Sequence, residues 1–172
     1  MLARPQADEF APYYGRYIAL VPDGDVRDHL RRQLHETIAL FSGVSDDRAN
    51  RGYGPGKWTL KEMILHMSDT ERVFSYRLLR VARNDATPLP GFEQDDWVPH
   101  SNANRRSVSS LMLEFAAIRS ATLQLADSLD PAAWLHRGTA SGFGVSARAL
   151  IYITAGHELH HLGVARERYL AA

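Results

Sequence analysis

A chain of 172 residues, 45% of them apolar and 23% charged, can bury a sizeable core in one domain and has the composition of an ordinary folded protein. Its 20 basic and 20 acidic residues cancel, so no net charge draws it toward nucleic acid or an anionic membrane. The absence of cysteine excludes disulfides, thiolate metal sites and a nucleophilic thiol; any metal must be held by imidazole, carboxylate or water, donors that suit zinc, nickel or iron.

The first residues, Met1 to Tyr14, carry Pro5, Asp8, Glu9 and Pro12 and lack an apolar centre, so no secretory signal is expected. No run approaches about 18 apolar residues, so no membrane span is expected and a cytoplasmic location is the default reading. Residues 1–22 read as an extended arm whose Tyr13, Tyr14, Tyr17, Ile18 and Leu20 pack on the body. After the breakers Pro22-Asp23-Gly24, Leu30, Leu34, Thr37, Ile38 and Phe41 recur at spacings of three and four, which predicts an amphipathic helix from Asp25 to Phe41, ended by Gly43.

Ser45-Asp46-Asp47-Arg48 reads as a capped single turn, and the glycines around Pro55 as a loop. Thr59 followed by Glu62 is the capping-box pairing and opens a second helix running to about Arg83, with Thr59, Met63, His66, Thr70, Val73 and Arg77 on one face. From Asn84 to Asn104 a proline-rich link of about twenty residues reaches at most about 65 Å, against about 37 Å for a helix of 25 residues. The chain can therefore return to its starting end, leaving helices two and three parallel. Links this long are functional or disordered, and Phe92 and Trp97 argue against disorder.

The third helix, Ser107 to Leu129, carries Leu111, Phe115, Ile118, Thr122 and Leu125 on its stripe, and Asp130-Pro131 starts a short turn anchored by Trp134. Gly138 to Gly144 reads as a glycine-rich link. Ser146 opens the last helix, to about Leu170, with Leu150, Ile153, His157, His161 and Val164 on one face. Four long helices and almost no strand signal point to an all-α four-helix bundle, without internal repeats.

The chemistry concentrates in Gly156-His157-Glu158-Leu159-His160-His161. Residues four apart on a helix lie about 5–6 Å apart at Cβ, so His157 and His161 can share one ion. Two ligands hold a metal poorly, and His66, inward-facing in the apolar run Met63 to Met67, is the natural third. His160 lies about 60° to one side of His157, against about 40° for His161, and receives a supporting or exposed role. The bland reading, three core histidines bonded to backbone carbonyls in a plain helical scaffold, competes with this one.

The string from His157 to His161 also satisfies H-E-x-x-H, but only eleven residues follow it and Val164 and Glu167 stand where the metzincin continuation needs glycine and histidine, so a protease is disfavoured. Glu158 points about 100° away from His157, off the metal face. Glu93, Asp95 and Asp96 read as solvated loop carboxylates, and Gly52, Gly54 and Gly56 lack the context of a phosphate loop. Trp58, Phe92 and Trp97 are candidates both for pocket lining and for core.

Pro55-Gly56-Lys57-Trp58-Thr59-Leu60-Lys61-Glu62, leading into Leu65-His66-Met67 and Thr70-Glu71-Arg72, together with Gly156 to Leu162, resembles the DinB/YfiT-like superfamily; Thr87 to Phe92 and Arg137 to Ala140 add to a likeness that spans about residues 17–170. The resemblance implies an up-down-down-up four-helix bundle, and a divalent ion, commonly zinc or nickel, on His66, His157 and His161. It implies a homodimer acting on a small molecule, either as a metal-dependent hydrolase or as a transferase using a low-molecular-weight thiol such as bacillithiol or mycothiol. A non-catalytic, metal-binding stress-response bundle is the alternative expectation.

Overall fold

The computed structural model describes residues 1–171, and four long helices dominate it: α1, Val26–Ser42; α2, Leu60–Ala82; α3, Val108–Asp127; and α4, Ala147–Val164, the last extended by a π-helical turn, Ala165–Tyr169. Each starts where a side chain can accept a hydrogen bond from an otherwise unpaired backbone N–H. Asp25 caps α1, Ser107 caps α3 and Ser146 caps α4. At α2 both halves of the capping box form: Glu62 N–H donates to Thr59 Oγ1 at 3.1 Å, and Thr59 N–H to Glu62 Oε2 at 2.7 Å.

The directions of the helices follow from which ends share a core. Leu30 from the start of α1 packs with Leu78 and Val81 from the end of α2, Ala126 from the end of α3 and Leu150 and Ile153 from the start of α4. A second cluster joins Phe41, Met63, Leu111, Phe115 and Leu162 from the opposite ends. Thus α2 and α3 run parallel and α1 and α4 run against them, the up-down-down-up course expected. Between the apolar clusters lies a polar layer that includes Thr37, His66, Thr70, Glu71, Arg119, His157 and Glu158, all buried.

Three expectations require correction. The N-terminal arm is coiled rather than extended: Ala7–Glu9, Pro12–Tyr14 and Gly15–Ile18 form successive helical turns, with Tyr17 and Ile18 buried but Tyr13 and Leu20 exposed. Proline at the first position of the second turn preorganises it. The Gly138–Gly144 link is a β-hairpin, β1 Arg137–Ala140 against β2 Phe143–Ser146, with Ala140 opposite Phe143. Ser141 and Gly142 at the tip both adopt positive φ, 53° and 81°, the combination that matches the twist of a two-residue hairpin turn.

The buried stripe of α3 is rotated from the one expected, centring on Phe115, Arg119, Thr122 and Ala126, while Ile118 and Leu125 are half-buried. The Asn84–Asn104 link is ordered, and it contains helical turns at Gln94–Trp97, Val98–His100 and Ala103–Arg105. It is pinned to the hairpin, where Leu89 N–H donates to Thr139 O and Ser141 N–H to Leu89 O. At its far end the Asn104 side chain donates to Glu62 at 2.9 Å. Among the described residues no helix is long and apolar enough to cross a membrane.

Candidate metal centre

His66 lies two turns into α2, and His157 and His161 on one face of α4, so the packing of these two helices brings all three rings together. The Nε2 of His157 is 3.2 Å from Nε2 of His66 and 3.1 Å from Nε2 of His161. One ring nitrogen from each of the three lies within 4.8 Å of the others. Nitrogens bound at about 2.0–2.1 Å to one tetrahedral ion stand about 3.3–3.4 Å apart, so the two short edges come close to the spacing an ion needs.

The hydrogen-bonding alternative is incomplete here. His157 Nε2 faces two other nitrogens, and a single hydrogen on it can satisfy only one of them. His66 Nδ1 is 3.4 Å from the Thr70 hydroxyl, and His161 Nδ1 is buried without a partner. The carbonyl-bonded core histidine of the bland reading is therefore not what these three residues form.

Burial sets the protonation state. It pushes His66 down to about 4, reinforced by His160. It pushes His161 down to about 2, with contributions from His66, His160 and Arg16. His157 is likewise held well below the usual imidazole range by burial and by its three histidine neighbours. All three rings are neutral at pH 7 and present lone pairs, the form that a divalent ion requires. The set fits a divalent ion of borderline softness.

His160 does not join the three. Its ring packs on Tyr17 at 5.4 Å and on His161 at 5.0 Å, half-buried at a cavity wall. Trp58 packs on His66 with centroids 5.0 Å apart, whereas Phe92 and Trp97 stack on each other at 4.7 Å in the link and Trp97 is exposed. Gly156 permits the close approach of the N-terminal segment, because a Cβ there would lie 2.0 Å from the Tyr17 carbonyl oxygen. Tyr17 in turn covers His157, ring to ring at 5.4 Å.

Two cavities flank the centre. One, of about 570 Å³, is lined by Tyr53, Trp58, His160, His161 and Tyr169; the other, of about 270 Å³, by Tyr13, Tyr17, Thr70, Ser141 and His157. Gln94 and Asp95 border both, so the turn of the long link crosses above the histidines.

Glu158 is turned away, as its helical position requires. It is buried between α3 and α1: Arg119 Nη2 donates to Glu158 Oε2 at 2.7 Å and the Thr37 hydroxyl to Oε1 at 2.5 Å. Arg119 also grips Glu71 through Nε and Nη2 at 2.8 and 2.7 Å, and donates to the Leu30 carbonyl. Burial pushes the Glu158 carboxyl up, and Arg119 pulls against that shift. The base role that a zincin motif would give Glu158 is thereby excluded by its position. This network escaped sequence reasoning, although Arg119 four residues after Phe115 and Glu71 four after Met67 mark charges on buried stripes.

Comparison with known proteins agrees with the fold. The family model described as the DinB superfamily matches residues 29–165. A relative from Oceanobacillus iheyensis, provisionally named a metal-dependent hydrolase, is 25% identical over 134 residues, covering 76% of this chain and 73% of the relative. Another with the same provisional name, from Geobacillus thermodenitrificans, is 26% identical over 95 residues, 54% of this chain and 53% of the relative. Among solved structures, YfiT from Bacillus subtilis, described as a probable metal-dependent hydrolase with an unusual four-helix bundle topology, superposes with a TM-score of 0.71 at 12% identity, covering 95% of this chain and 92% of that one. The chain belongs to the DinB superfamily.

Proposed function

We propose that this protein is a metal-dependent enzyme in which His66, His157 and His161 hold a divalent ion, zinc or nickel, and that it hydrolyses a small molecule. The observation that carries this reading is the convergence of three neutral ring nitrogens, with His161 lining one cavity and His157 another. Three protein ligands leave coordination positions open, as catalytic rather than structural sites do. When bound, such an ion lowers the pKa of water and polarises a substrate oxygen.

The chain's own residues do the rest. Burial keeps the imidazoles deprotonated, α2 and α4 fix their separation, and Trp58 and Tyr17 restrict how far the rings of His66 and His157 can turn. His160, at the cavity wall and neutral at pH 7 because burial and Arg16 lower its pKa, is placed to accept a proton from a reactant. The names of the two relatives and of YfiT support hydrolysis.

Transfer to or from a low-molecular-weight thiol is the second reading, favoured by two separate cavities beside the centre, one for each reactant. The chain would then rely on an external thiol, having no cysteine. A non-catalytic metal-binding bundle is the remaining alternative.

Elemental analysis of protein purified without a nickel column tests the centre itself: about one ion per chain is expected, and His66→Ala should reduce it to near zero while the protein stays folded. Less than about 0.2 ions per chain, with no rise in melting temperature on adding zinc or nickel, would end the metal reading. Turnover of ester or amide substrates, present in the loaded protein and lost in His66→Ala, separates the enzyme from the non-catalytic bundle. Dependence of that turnover on added thiol separates the two chemistries.

A further inference from the structure

Among the described residues two arginines are almost completely buried, and one of them has a counter-charge. Arg119 is 0% exposed and engages the carboxylates of both Glu71 and Glu158. Arg77, on α2, is 2% exposed, yet no carboxylate pairs with it among the described residues. Its hydrogen bonds all leave from Nη2, to the Pro90 carbonyl at 2.7 Å and to the Ser141 hydroxyl at 3.0 Å. A strut between α2, the link and the hairpin needs no more than that one nitrogen. The donors on Nε and Nη1 are left over. The Phe92 ring lies 5.8 Å from Cζ but supplies no counter-charge, and a nearly buried guanidinium with free donors at a cleft wall suits an anion.

Arg77 forms part of the wall of a cleft of about 420 Å³ between α2 and the long link. Val73, Tyr76, Leu89, Phe92 and Trp97 make the rest of that wall mainly apolar. The other charges at its edge are already balanced. Arg72 pairs with Asp69 at 3.0 Å and with Glu114 at 2.5 Å, and Arg106 completes the group at Glu114. Two cations and two carboxylates cancel there, so Arg77 is the charge that remains. Tyr76 and Trp97 are exposed at 51% and 44%, large aromatic surface placed beside it. Sites for small molecules combine these features, mostly apolar walls with a few polar groups that fix orientation.

We propose that this cleft binds an organic monoanion: a carboxylate that meets the Arg77 guanidinium, carried on an aromatic or short aliphatic body that packs against Tyr76, Phe92 and Trp97. Phe92 also borders the smaller cavity that reaches His157, so the bound acid lies across that ring from the histidines. The proposal stands whether or not the histidines carry an ion.

Calorimetric titration of the full chain with benzoate, hexanoate, benzyl alcohol and benzylamine tests it. Benzoate and hexanoate should bind saturably at one per chain, at least about tenfold more tightly than the alcohol or the amine, as expected for a charge-assisted pair. Tyr76→Glu, at an exposed helical position where the ring's recorded polar contact is with Arg80, should weaken benzoate by about tenfold through like-charge repulsion. Arg77→Gln should abolish the preference for the acid, and where that variant fails to fold the Tyr76→Glu result decides. Benzoate binding must also survive in His66→Ala. Its loss there would place the acid on the histidine centre, and that result, no saturable binding, or equal affinity for benzyl alcohol each overturns the proposal.

Discussion

The polar layer of the bundle contains two neighbouring clusters built to opposite rules. In one, Arg119, Glu71, Glu158 and Thr37 bring a residue from each of the four long helices together, and the guanidinium is matched by carboxylates within the cluster. In the other, His66, His157 and His161 turn lone pairs toward a common point, and one buried nitrogen has no partner at all. Adjacent residues, His157 and Glu158, belong to different clusters because one helical step turns the side chain about 100°. A closed polar cluster specifies how helices meet. An open one has unspent capacity to bind.

The sharpest way to break this contrast is to open the closed cluster. Arg119→Met leaves two buried carboxylates without their cation and should cost about 3–5 kcal/mol in urea unfolding, whereas Glu71→Leu/Arg119→Met/Glu158→Leu together should recover most of that loss. A single variant as stable as the parent would mean that the network is not closed in the way described.

Acid should act mainly through the open cluster. Folding lowers the pKa of its histidines below the ordinary value of about 6.5, to about 4 for His66 and about 2 for His161, so the unfolded chain binds more protons below that pH. The stability this gives the metal-free protein is fully present above about pH 6.5 and is lost as pH falls toward the folded values, by about 1 kcal/mol per buried histidine between pH 7 and 5.5. Unfolding curves over that range should show a slope that shrinks in His66→Ala. A flat profile would contradict the burial described.

Zinc or nickel should stabilise only the protein with an intact open cluster, by about 2.7 kcal/mol at a hundredfold excess over Kd, with the increment absent in His66→Ala. The cover over the histidines can be broken as well. Gly156→Ala forces the Tyr17 backbone away and should destabilise by about 1–3 kcal/mol, with weaker metal binding because Tyr17 no longer steadies His157. Unchanged metal affinity in a folded Gly156→Ala protein would show that the cover is structural only.

Much of the architecture was legible in the sequence because the helix starts carry side chains with one local job. Thr59 with Glu62, Ser107 and Ser146 each announce a cap, and His66, His157 and His161 fall on apolar stripes whose facing is set by periodicity alone. The arginine network was not legible, since a charge on a stripe reads as an interruption until its partners on other helices are known. The hairpin was missed because Ser141-Gly142 is a weaker turn signal than Asn-Gly and its strands are only four residues long. The N-terminal turns depend on tertiary anchors: Glu9 is buried against Arg148 and Ser146, residues far away in sequence.

The link between α2 and α3 is gripped near both ends, by the hairpin at Leu89 and by α2 at Asn104, while its middle passes over the histidines with little attachment of its own. Residues 92–97 can therefore be exchanged, lengthened or shortened as a cassette: what reaches the histidines would change, while the frame that positions them would not.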